Sequence, residues 1–478
     1  MRWTLLQISE PILAAPGEKL DPMARVAGVS IDSRTIRPGE LFFAIHGPRH
    51  DGHDHVASAL ERGAVAAVVA EARARQFPDS LRGACLVVDD TLLALHQLAR
   101  TVRNAWGRKI AGVTGSVGKT TTKEILAALL GSKLRVLKSE GNFNNAYGLP
   151  LTLFRLEESH EAAVLEMGMS RRYELQELAG IAKPDVGVVT RVAPAHLEFF
   201  ASVEEIALAK RELIEGLNGP DSVAVLNADD LLVAEFGSHA PGRVLTYGIE
   251  NAADFRAEAI EDRGAFGSAF VVVENGKRTR IELALAGRHV ISNALAALAS
   301  ASVWGIGAAA AQSVFRGLQA PAMRGELLRF SNGAALINDS YNSSPAALQA
   351  MIKVLAATPN YRRRILAAGE MRELGRTSSQ LHREAGSFAA KTGKIDWVVG
   401  VEGDAAQLVE GAVAAGVPGS QTKFFSSSEE AAKFLAEFVA PGDLLLVKGS
   451  RGVKMERIVD ALLAAHAPEL TSAEKVGH

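Results

Sequence analysis

Short apolar runs alternate with longer amphipathic segments along the first hundred residues, which is the pattern of strands and helices in an α/β protein. Apolar runs at 41–45, 65–70 and 86–88 are separated by helical periodicity at 56–62 and 92–106. This order predicts a small α/β unit.

The next section has a different pattern. The runs between residues 110 and 226 are apolar throughout, as expected for parallel strands that are covered on both faces. Between residues 247 and 285 the runs become short and alternating, which predicts an antiparallel β appendage. An alanine-rich helix is predicted at 294–302.

A third section begins near residue 320, where strands and helices alternate again. The predicted strands are 335–338, 364–368, 397–401 and 444–447, and the predicted helices are 346–356, 380–392, 428–438 and 455–465. This alternation predicts a doubly wound, Rossmann-like unit. At 478 residues the chain is too long for one core, and roughly 150 residues per domain gives about three domains. We therefore predict an α/β protein with domains at 1–106, 107–320 and 321–478.

A glycine-rich loop connects the first strand and helix of the middle section. Backbone N–H groups, the positive end of the helix dipole and the ammonium of Lys119 would converge there on a polyphosphate. A full phosphate-loop pattern has glycine where this chain has Val113, so the motif is the shorter G-x-x-G-K-T form. The alternative is a glycine turn before an ordinary helix. The residues expected to contact nucleotide are Thr114, Gly115, Ser116, Val117, Gly118, Lys119, Thr120 and Thr121.

Charged residues follow the neighbouring strands. Glu166 ends the strand predicted at 162–166, at the sheet edge where phosphate-loop proteins hold magnesium. His196 follows the next strand and could bind a metal, contact a phosphoryl group or simply be packed. Read alone, Glu166 could instead be a solvated or capping residue, and Lys210 a solvated helix lysine.

Three further loops are rich in groups that bind polar ligands. The loop at 140–150 is rich in asparagine, whose amide suits sugar hydroxyls and phosphate oxygens. The loops at 338–345 and 448–452 follow strand ends, where open α/β sheets bind ligands. Ordinary polar turns are the alternative in each case.

The first domain contains a loop with His50, His53 and His55. Metal binding is one interpretation, but the spacing fits no zinc pattern and no cysteine accompanies the histidines. A polar loop that faces a substrate is the preferred interpretation.

Charge and composition narrow the function. Lys and Arg number 52 against 54 Asp and Glu, so no basic excess favours nucleic acid. No apolar run has the length of about 18 residues that a membrane span needs, and the first ten residues turn polar too early for a signal peptide. The single cysteine, Cys85, lies in an apolar run and agrees with a reducing compartment. We expect a cytoplasmic monomer.

Eight segments, taken in order, resemble the Mur ligase family over nearly the whole chain. They are 114–122, 141–150, 166–170, 193–196, 209–212, 287–293, 338–345 and 448–452. Each is weak alone, but eight in the correct order are specific. The family also explains the short phosphate loop, because that form is its own pattern.

The resemblance implies roles for individual residues. Lys119, Glu166, His196 and Lys210 would be catalytic, and Thr120, Glu166, His196 and Lys210 would form the magnesium sites, with Lys210 carbamylated. His289 and Asn293 resemble adenine-side contacts, and Arg324 and Asp339 resemble residues by which the third domain reaches the nucleotide. The substrate contacts would be Ser33, Arg34, Asn144, Asn145, Asn342, Ser344 and Lys448.

The chain departs from the family after Ser170. Many relatives carry glycine directly before a glutamate there, whereas this chain has Arg171-Arg-Tyr-Glu174. Any role carried over to Glu174 is therefore in doubt.

The implied reaction is ATP-dependent amide formation with magnesium. The likeness is nearest to members that join D-Ala-D-Ala to the terminal carboxylate of UDP-MurNAc-tripeptide through an acyl phosphate. One rival is a sister ligase that adds a diamino acid to the dipeptide precursor, but the Asp-Asn-Pro-Arg signature of its diaminopimelate-adding members is missing. Folylpolyglutamate synthetase, which should lack the first domain, and a phosphate-loop switch are two further candidates.

Overall fold

The computed structural model describes residues 3–47, 50–194 and 198–469. The chain folds into three α/β domains, each built on its own main sheet. No helix in the described part of the chain is long and apolar enough to cross a membrane.

The first domain has a five-stranded sheet in the order β2-β7-β6-β5-β4 and a small β1-β3 pair. Its strands are β1 Trp3–Thr4, β2 Ala15–Pro16, β3 Arg25–Val26, β4 Gly28–Ser30, β5 Glu40–Phe43, β6 Ala66–Ala70 and β7 Cys85–Val88. Its helices are α1 Leu5–Ser9, α2 Val56–Glu61, α3 Glu71–Ala74, α4 Asp79–Arg82 and α5 Thr91–Trp106. Strands β4 to β7 are parallel, as the alternation of apolar runs and helices predicts.

The middle domain is built on a nine-stranded sheet in the order β16-β15-β14-β13-β12-β11-β8-β10-β9. Its strands are β8 Ile110–Thr114, β9 Val136–Lys138, β10 Ala162–Glu166, β11 Val186–Val189, β12 Val223–Asn227, β13 Arg243–Gly248, β14 Phe255–Asp262, β15 Ser268–Glu274 and β16 Lys277–Leu283. Its helices are α6 Lys119–Gly131, α7 Gly148–Leu153, α8 Glu174–Ala182, α9 Val203–Glu215, α10 Leu231–Ala234, α11 Arg288–Ala301 and α12 Ala308–Gly317.

The predicted β appendage is part of this same sheet. Strand β14 pairs in parallel with β13 and then antiparallel with β15, which pairs antiparallel with β16. Alternation of apolar and polar residues predicts the strands but not their neighbours, because a strand can add to an edge or pair separately with the same pattern.

The third domain has a six-stranded sheet in the order β17-β18-β22-β19-β20-β21. Its strands are β17 Glu326–Arg329, β18 Ala335–Asp339, β19 Arg363–Gly369, β20 Trp397–Val401, β21 Thr422–Phe425 and β22 Asp443–Lys448. Its helices are α13 Pro345–Ala357, α14 Ser378–Lys391, α15 Ala405–Ala414, α16 Ser428–Phe438 and α17 Glu456–Ala465. The apolar pattern does not predict β17 and β21, because both are partly exposed edge strands in which that pattern is weak.

The third domain contacts the middle domain at a buried junction. The backbone N–H of Ala265 donates to Oγ1 of Thr358 on the third domain at 2.9 Å. Thr358 is fully buried, and Ala265 and Ala286 belong to the same apolar cluster as the core of the third domain. The middle and third domains therefore share a packed apolar contact.

Candidate active site

The phosphate loop lies between β8 and α6, at the carboxyl edge of the middle sheet. Two of its glycines have positive φ, +146° at Gly115 and +87° at Gly118. A Cβ atom at Gly115 would lie 1.9 Å from Oγ1 of Thr190, and one at Gly118 would lie 2.4 Å from Oδ1 of Asn293. Only glycine therefore fits where strand β11 and helix α11 approach the loop.

The Lys119 side chain folds back over this loop. Its ammonium donates to the carbonyl of Gly115 at 2.7 Å and that of Ser116 at 3.5 Å. Burial lowers the pKa of Lys119, the Glu166 carboxylate opposes that shift, and the nearby Arg324 guanidinium adds to it. An anionic phosphate is the natural partner for these two cations.

The predicted magnesium carboxylate lies beside the start of α6. Oγ1 of Thr120 donates to Oε2 of Glu166 at 2.7 Å, and Nδ2 of Asn144 donates to Oε1 at 2.9 Å. Glu166 and Thr120 are both buried. A hydroxyl and a carboxylate side by side fit Mg²⁺, which binds few protein oxygens and takes the rest of its shell from phosphate and water. Among described residues, no three or more His, Cys, Asp or Glu form a metal cluster.

Lys210 is the most unusual charged residue of the site. It is 2% exposed on α9, and it forms no hydrogen bond or ion pair with another residue of the described ranges. Burial lowers its pKa well below the ordinary lysine value, and the positive charge of Lys119 lowers it further. A depressed pKa shifts a lysine toward the neutral amine, which is the nucleophilic form.

The segment that leads toward His196 is fixed against the phosphate loop. Ser116 Oγ donates to the Ala193 carbonyl at 3.0 Å and accepts from the Ala193 N–H at 3.0 Å. Thr190 Oγ1 donates to the carbonyl of Val117 at 2.6 Å. His196 itself lies outside the described residues, so its metal role stays a prediction.

Helix α11 brings the predicted adenine-side residues to the loop. Asn293 is buried next to Gly118, and its contact with adenine stays a prediction. His289 lies at the junction with the third domain, where partial desolvation lowers its pKa to about 4, although its side chain keeps contact with solvent. The Asp339 carboxylate opposes this shift.

The third domain contributes a linked set of polar groups at the end of β18 and β22. The ammonium of the buried Lys448 donates to the Asp339 carboxylate and to the Asn342 carbonyl. The Arg324 guanidinium stacks 4.1 Å above the ring of Tyr341. The predicted residue Ser344 is the N-cap of α13 but makes no side-chain capping bond.

The predicted UDP-side residues form a separate feature of the first domain. Arg34 makes a paired contact with Asp32 at 2.9 and 2.8 Å, and this hydrogen bonding lowers the pKa of Asp32 to about 2. Arg34 is exposed and Ser33 is mostly buried. In the neighbouring histidine loop, His53 is held by Asp51 at 2.6 Å and accepts a backbone N–H at 2.9 Å, so His53 has a structural role.

Two asparagines that the resemblance assigns alike differ in their contacts. Asn144 donates to Glu166, as described above, while Asn145 Oδ1 accepts from the backbone of Gly148 at 2.9 Å at the start of α7. In the loop at 171–174, Tyr173 has φ +71°, the conformation that glycine adopts most easily. Glu174 Oε2 accepts backbone N–H groups of this loop, so Glu174 closes the turn before α8.

Sequence reasoning missed some residues that support the site. Thr190 anchors the phosphate loop, and Lys123 and Ser139 are fully buried beside Glu166. The sequence did carry a signal for Lys123, because it lies three residues after Thr120 and therefore on the same face of α6.

The chain matches three descriptions of one family. They are "Mur ligase family, catalytic domain" over residues 25–103, "Mur ligase middle domain" over residues 113–301 and "Mur ligase, glutamate ligase domain" over residues 323–451. Together these matches extend through all three domains.

Individual relatives agree with the family match. The chain is 36% identical to the UDP-N-acetylmuramoyl-tripeptide–D-alanyl-D-alanine ligase of Bacillus subtilis, covering 92% of this chain and 93% of the relative, and 34% identical to that of Escherichia coli over 91% and 93%. Its fold is similar to the crystal structure of MurF from Acinetobacter baumannii, with TM-score 0.88 and 29% identity over 97% and 99% of the two chains. It is also similar to Thermotoga maritima MurF in complex with ADP, with TM-score 0.79 and 29% identity over 92% and 97%. The chain belongs to the Mur ligase family.

Proposed function

We propose that this protein joins D-Ala-D-Ala to the terminal carboxylate of UDP-MurNAc-tripeptide with ATP and Mg²⁺. The observation that carries the proposal is that Lys119 and the Thr120–Glu166 pair lie together at the carboxyl edge of the middle sheet. The buried Lys210 on α9 and Arg324 of the third domain are close enough to interact with the charge of Lys119. The relatives named above carry this activity in their names.

The phosphate loop would bind ATP so that a substrate carboxylate can attack the γ-phosphate. Two anions repel each other strongly, and positive charge must offset that repulsion before the atoms can meet. Lys119 and Arg324 supply fixed positive charge from two domains. Thr120 and Glu166 would hold Mg²⁺, which supplies additional charge neutralisation on the phosphates when bound. The products of this step are an acyl phosphate and ADP.

Lys210 would act as a carbamate. The neutral amine attacks CO₂, one C–N bond forms, and one proton leaves to solvent, so the group becomes a carboxylate. This reaction requires an amine that is not protonated, and burial beside Lys119 favours that form. A carboxylate at this position would offset the positive charge of Lys119 and could bind a second magnesium ion.

The third domain would deliver the acceptor dipeptide. The amine of the dipeptide displaces phosphate from the acyl phosphate through a tetrahedral intermediate. Closure of this domain over the middle domain would keep water from hydrolysing the activated carboxyl group. We place the reaction in the cytoplasm, where ATP is available and where a lone buried cysteine such as Cys85 stays reduced.

The sister ligase that adds a diamino acid is the second candidate. To distinguish the two, purified protein is given ATP, Mg²⁺ and either UDP-MurNAc-tripeptide with D-Ala-D-Ala or UDP-MurNAc-dipeptide with lysine or diaminopimelate. Mass spectrometry should detect the joined product only in the first mixture. A product only in the second mixture would replace this proposal with the rival.

A further inference from the structure

Lys123 is a fully buried lysine that lies beside the active site but does not face the phosphate loop. It is 1% exposed. Its ammonium donates to the Ser139 carbonyl at 2.8 Å and pairs with Glu124 Oε1 at 2.9 Å. Lys119, one turn earlier on the same helix, instead folds back over the loop.

Ser139 connects Lys123 to the predicted magnesium carboxylate. This serine is 1% exposed and follows β9 directly. Its Oγ accepts from the backbone N–H of Glu166 at 3.1 Å, and its own N–H donates to the Val164 carbonyl at 3.1 Å. Ser139 therefore joins the ends of β9 and β10.

Helix α6 thus holds the Glu166 region at two points. Thr120 contacts the carboxylate directly. Lys123, three residues later on the same face, donates to the Ser139 carbonyl, and Ser139 Oγ accepts from the backbone N–H of Glu166. Ser139 also begins the loop that places Asn144 against the other carboxylate oxygen. The two oxygens of Glu166 are accordingly fixed from both sides.

Packing alone does not explain a charged residue at this position. An apolar side chain of similar volume would fill the space without the cost of burying an ammonium. Glu124 does not require Lys123 either, because it also pairs with the partly exposed Lys138. The contribution specific to Lys123 is its donor to the Ser139 carbonyl.

We propose that Lys123 is a positioning residue, which through Ser139 holds the Glu166 carboxylate in the orientation that binds Mg²⁺ with the nucleotide. The inference rests on the proposed function for the identity of the metal and the nucleotide. It assigns Lys123 no contact with substrate.

The test measures binding of ADP by calorimetry with and without Mg²⁺, so it needs neither the tripeptide nor the dipeptide. In Lys123→Met, the enhancement of ADP binding by Mg²⁺ should fall about 10-fold, which is the usual effect of losing a group that orients a metal ligand, while ADP binding without metal stays unchanged. Lys138→Met is the matched control, because it removes the other lysine that pairs with Glu124 and does not remove the contacts of Ser139 with Lys123 and Glu166. It should bind like the wild type.

Two further variants keep the test decisive if Lys123→Met does not fold. Ser139→Ala removes only the Oγ acceptor for the Glu166 N–H and should weaken the Mg²⁺ enhancement in the same direction. Lys123→Arg restores a donor and should recover part of the loss. An unchanged Mg²⁺ enhancement in folded Lys123→Met or in Ser139→Ala, or an equal loss with and without metal, would overturn the inference. Failure of the mixtures described above to give a product would instead refute the proposed function and leave these binding results standing.

Discussion

Lys123 and Lys210 are two buried lysines of the same domain, and they differ in one respect that matters. Both are at most 2% exposed. Lys123 has a carbonyl and a carboxylate as partners, whereas Lys210 has no hydrogen bond or ion pair with any residue in the described ranges. The pKa of Lys210 is lowered far from its usual value by burial and by Lys119.

The difference separates a supporting residue from a reactive one. A buried charge with good partners can stay charged, and its removal leaves those partners unsatisfied. A buried charge without partners is costly and shifts toward its neutral form. Lys123 therefore fits a role in holding the site, and Lys210 fits a role completed by a further group, the carbamate proposed above. Substitutions at these two lysines and at Lys119, which faces the nucleotide, test the distinction.

The largest effect is expected for Lys119→Ala. Removing the ammonium over the phosphate loop should lower the rate of phosphate release at least about 1,000-fold, because that charge offsets the repulsion between carboxylate and triphosphate. Thermal unfolding serves as the control and should change little, since Lys119 is only partly buried and water can replace its hydrogen bonds to the loop carbonyls. A variant that does not fold would mean that the lysine is structural.

Lys210→Ala should lower turnover by about 100-fold, because it removes a carboxylate-like group from the charged centre. Added formate should restore part of the activity by occupying the vacated space with a carboxylate. After exposure to ¹³C-labelled CO₂, NMR should detect a carbamate carbon in the wild type and in Lys123→Met but not in Lys210→Ala. A signal that persists in Lys210→Ala would assign the carbamate to another lysine.

Substitution of Lys123 should destabilise the protein more than substitution of Lys210. Lys123→Met should lower the free energy of unfolding by about 2 kcal/mol, because it leaves the buried Ser139 carbonyl without its donor. Lys210→Met should be neutral or stabilising, because it removes a buried amine that has no partner among the described residues. Denaturant unfolding of both variants tests the comparison, and a larger loss for Lys210→Met would contradict it.

The smallest expected effect is a pH dependence measured without CO₂. Between the lowered pKa of folded Lys210 and the ordinary value near 10.5, the unfolded chain binds one proton more than the native protein. The free energy of unfolding of the wild type should therefore rise with pH relative to Lys210→Met, by at most about 1.4 kcal/mol per pH unit. Denaturant titrations at several pH values measure this dependence. A free-energy difference between wild type and Lys210→Met that falls with rising pH would refute the prediction.

Much of the fold could be predicted from the sequence because its signals are local. Alternating apolar runs and helical periodicity mark most strands and helices of the three domains, although helix α15 was not predicted. The glycine loop with Lys119 marks the predicted nucleotide edge. The domain boundaries and the assigned substrate contacts stay predictions. The order of strands in the middle sheet could not be predicted, since pairing depends on residues that are distant in the chain.

The sequence indicated the reactive residues of the site more clearly than the contacts that hold them in place. The resemblance of residues 209–212 to the family pointed to Lys210, although helical position alone suggested a solvated residue. No local pattern could show that Lys123 contacts Ser139 or that Glu212 anchors Arg172 and Tyr173, because those contacts join separate elements. Tyr173 adopts positive φ, and sequence alone does not show that the surrounding contacts hold it there.

The most direct test of the ligase activity is the coupling of phosphate release to the acceptor. Initial rates are measured with ATP, Mg²⁺ and UDP-MurNAc-tripeptide, and D-Ala-D-Ala is compared with D-alanine, lysine and no acceptor. Rapid release is expected only with the dipeptide, and none above background when the tripeptide is omitted. Phosphate release that is indifferent to the dipeptide would show a nucleotide hydrolase and contradict the proposed ligase activity.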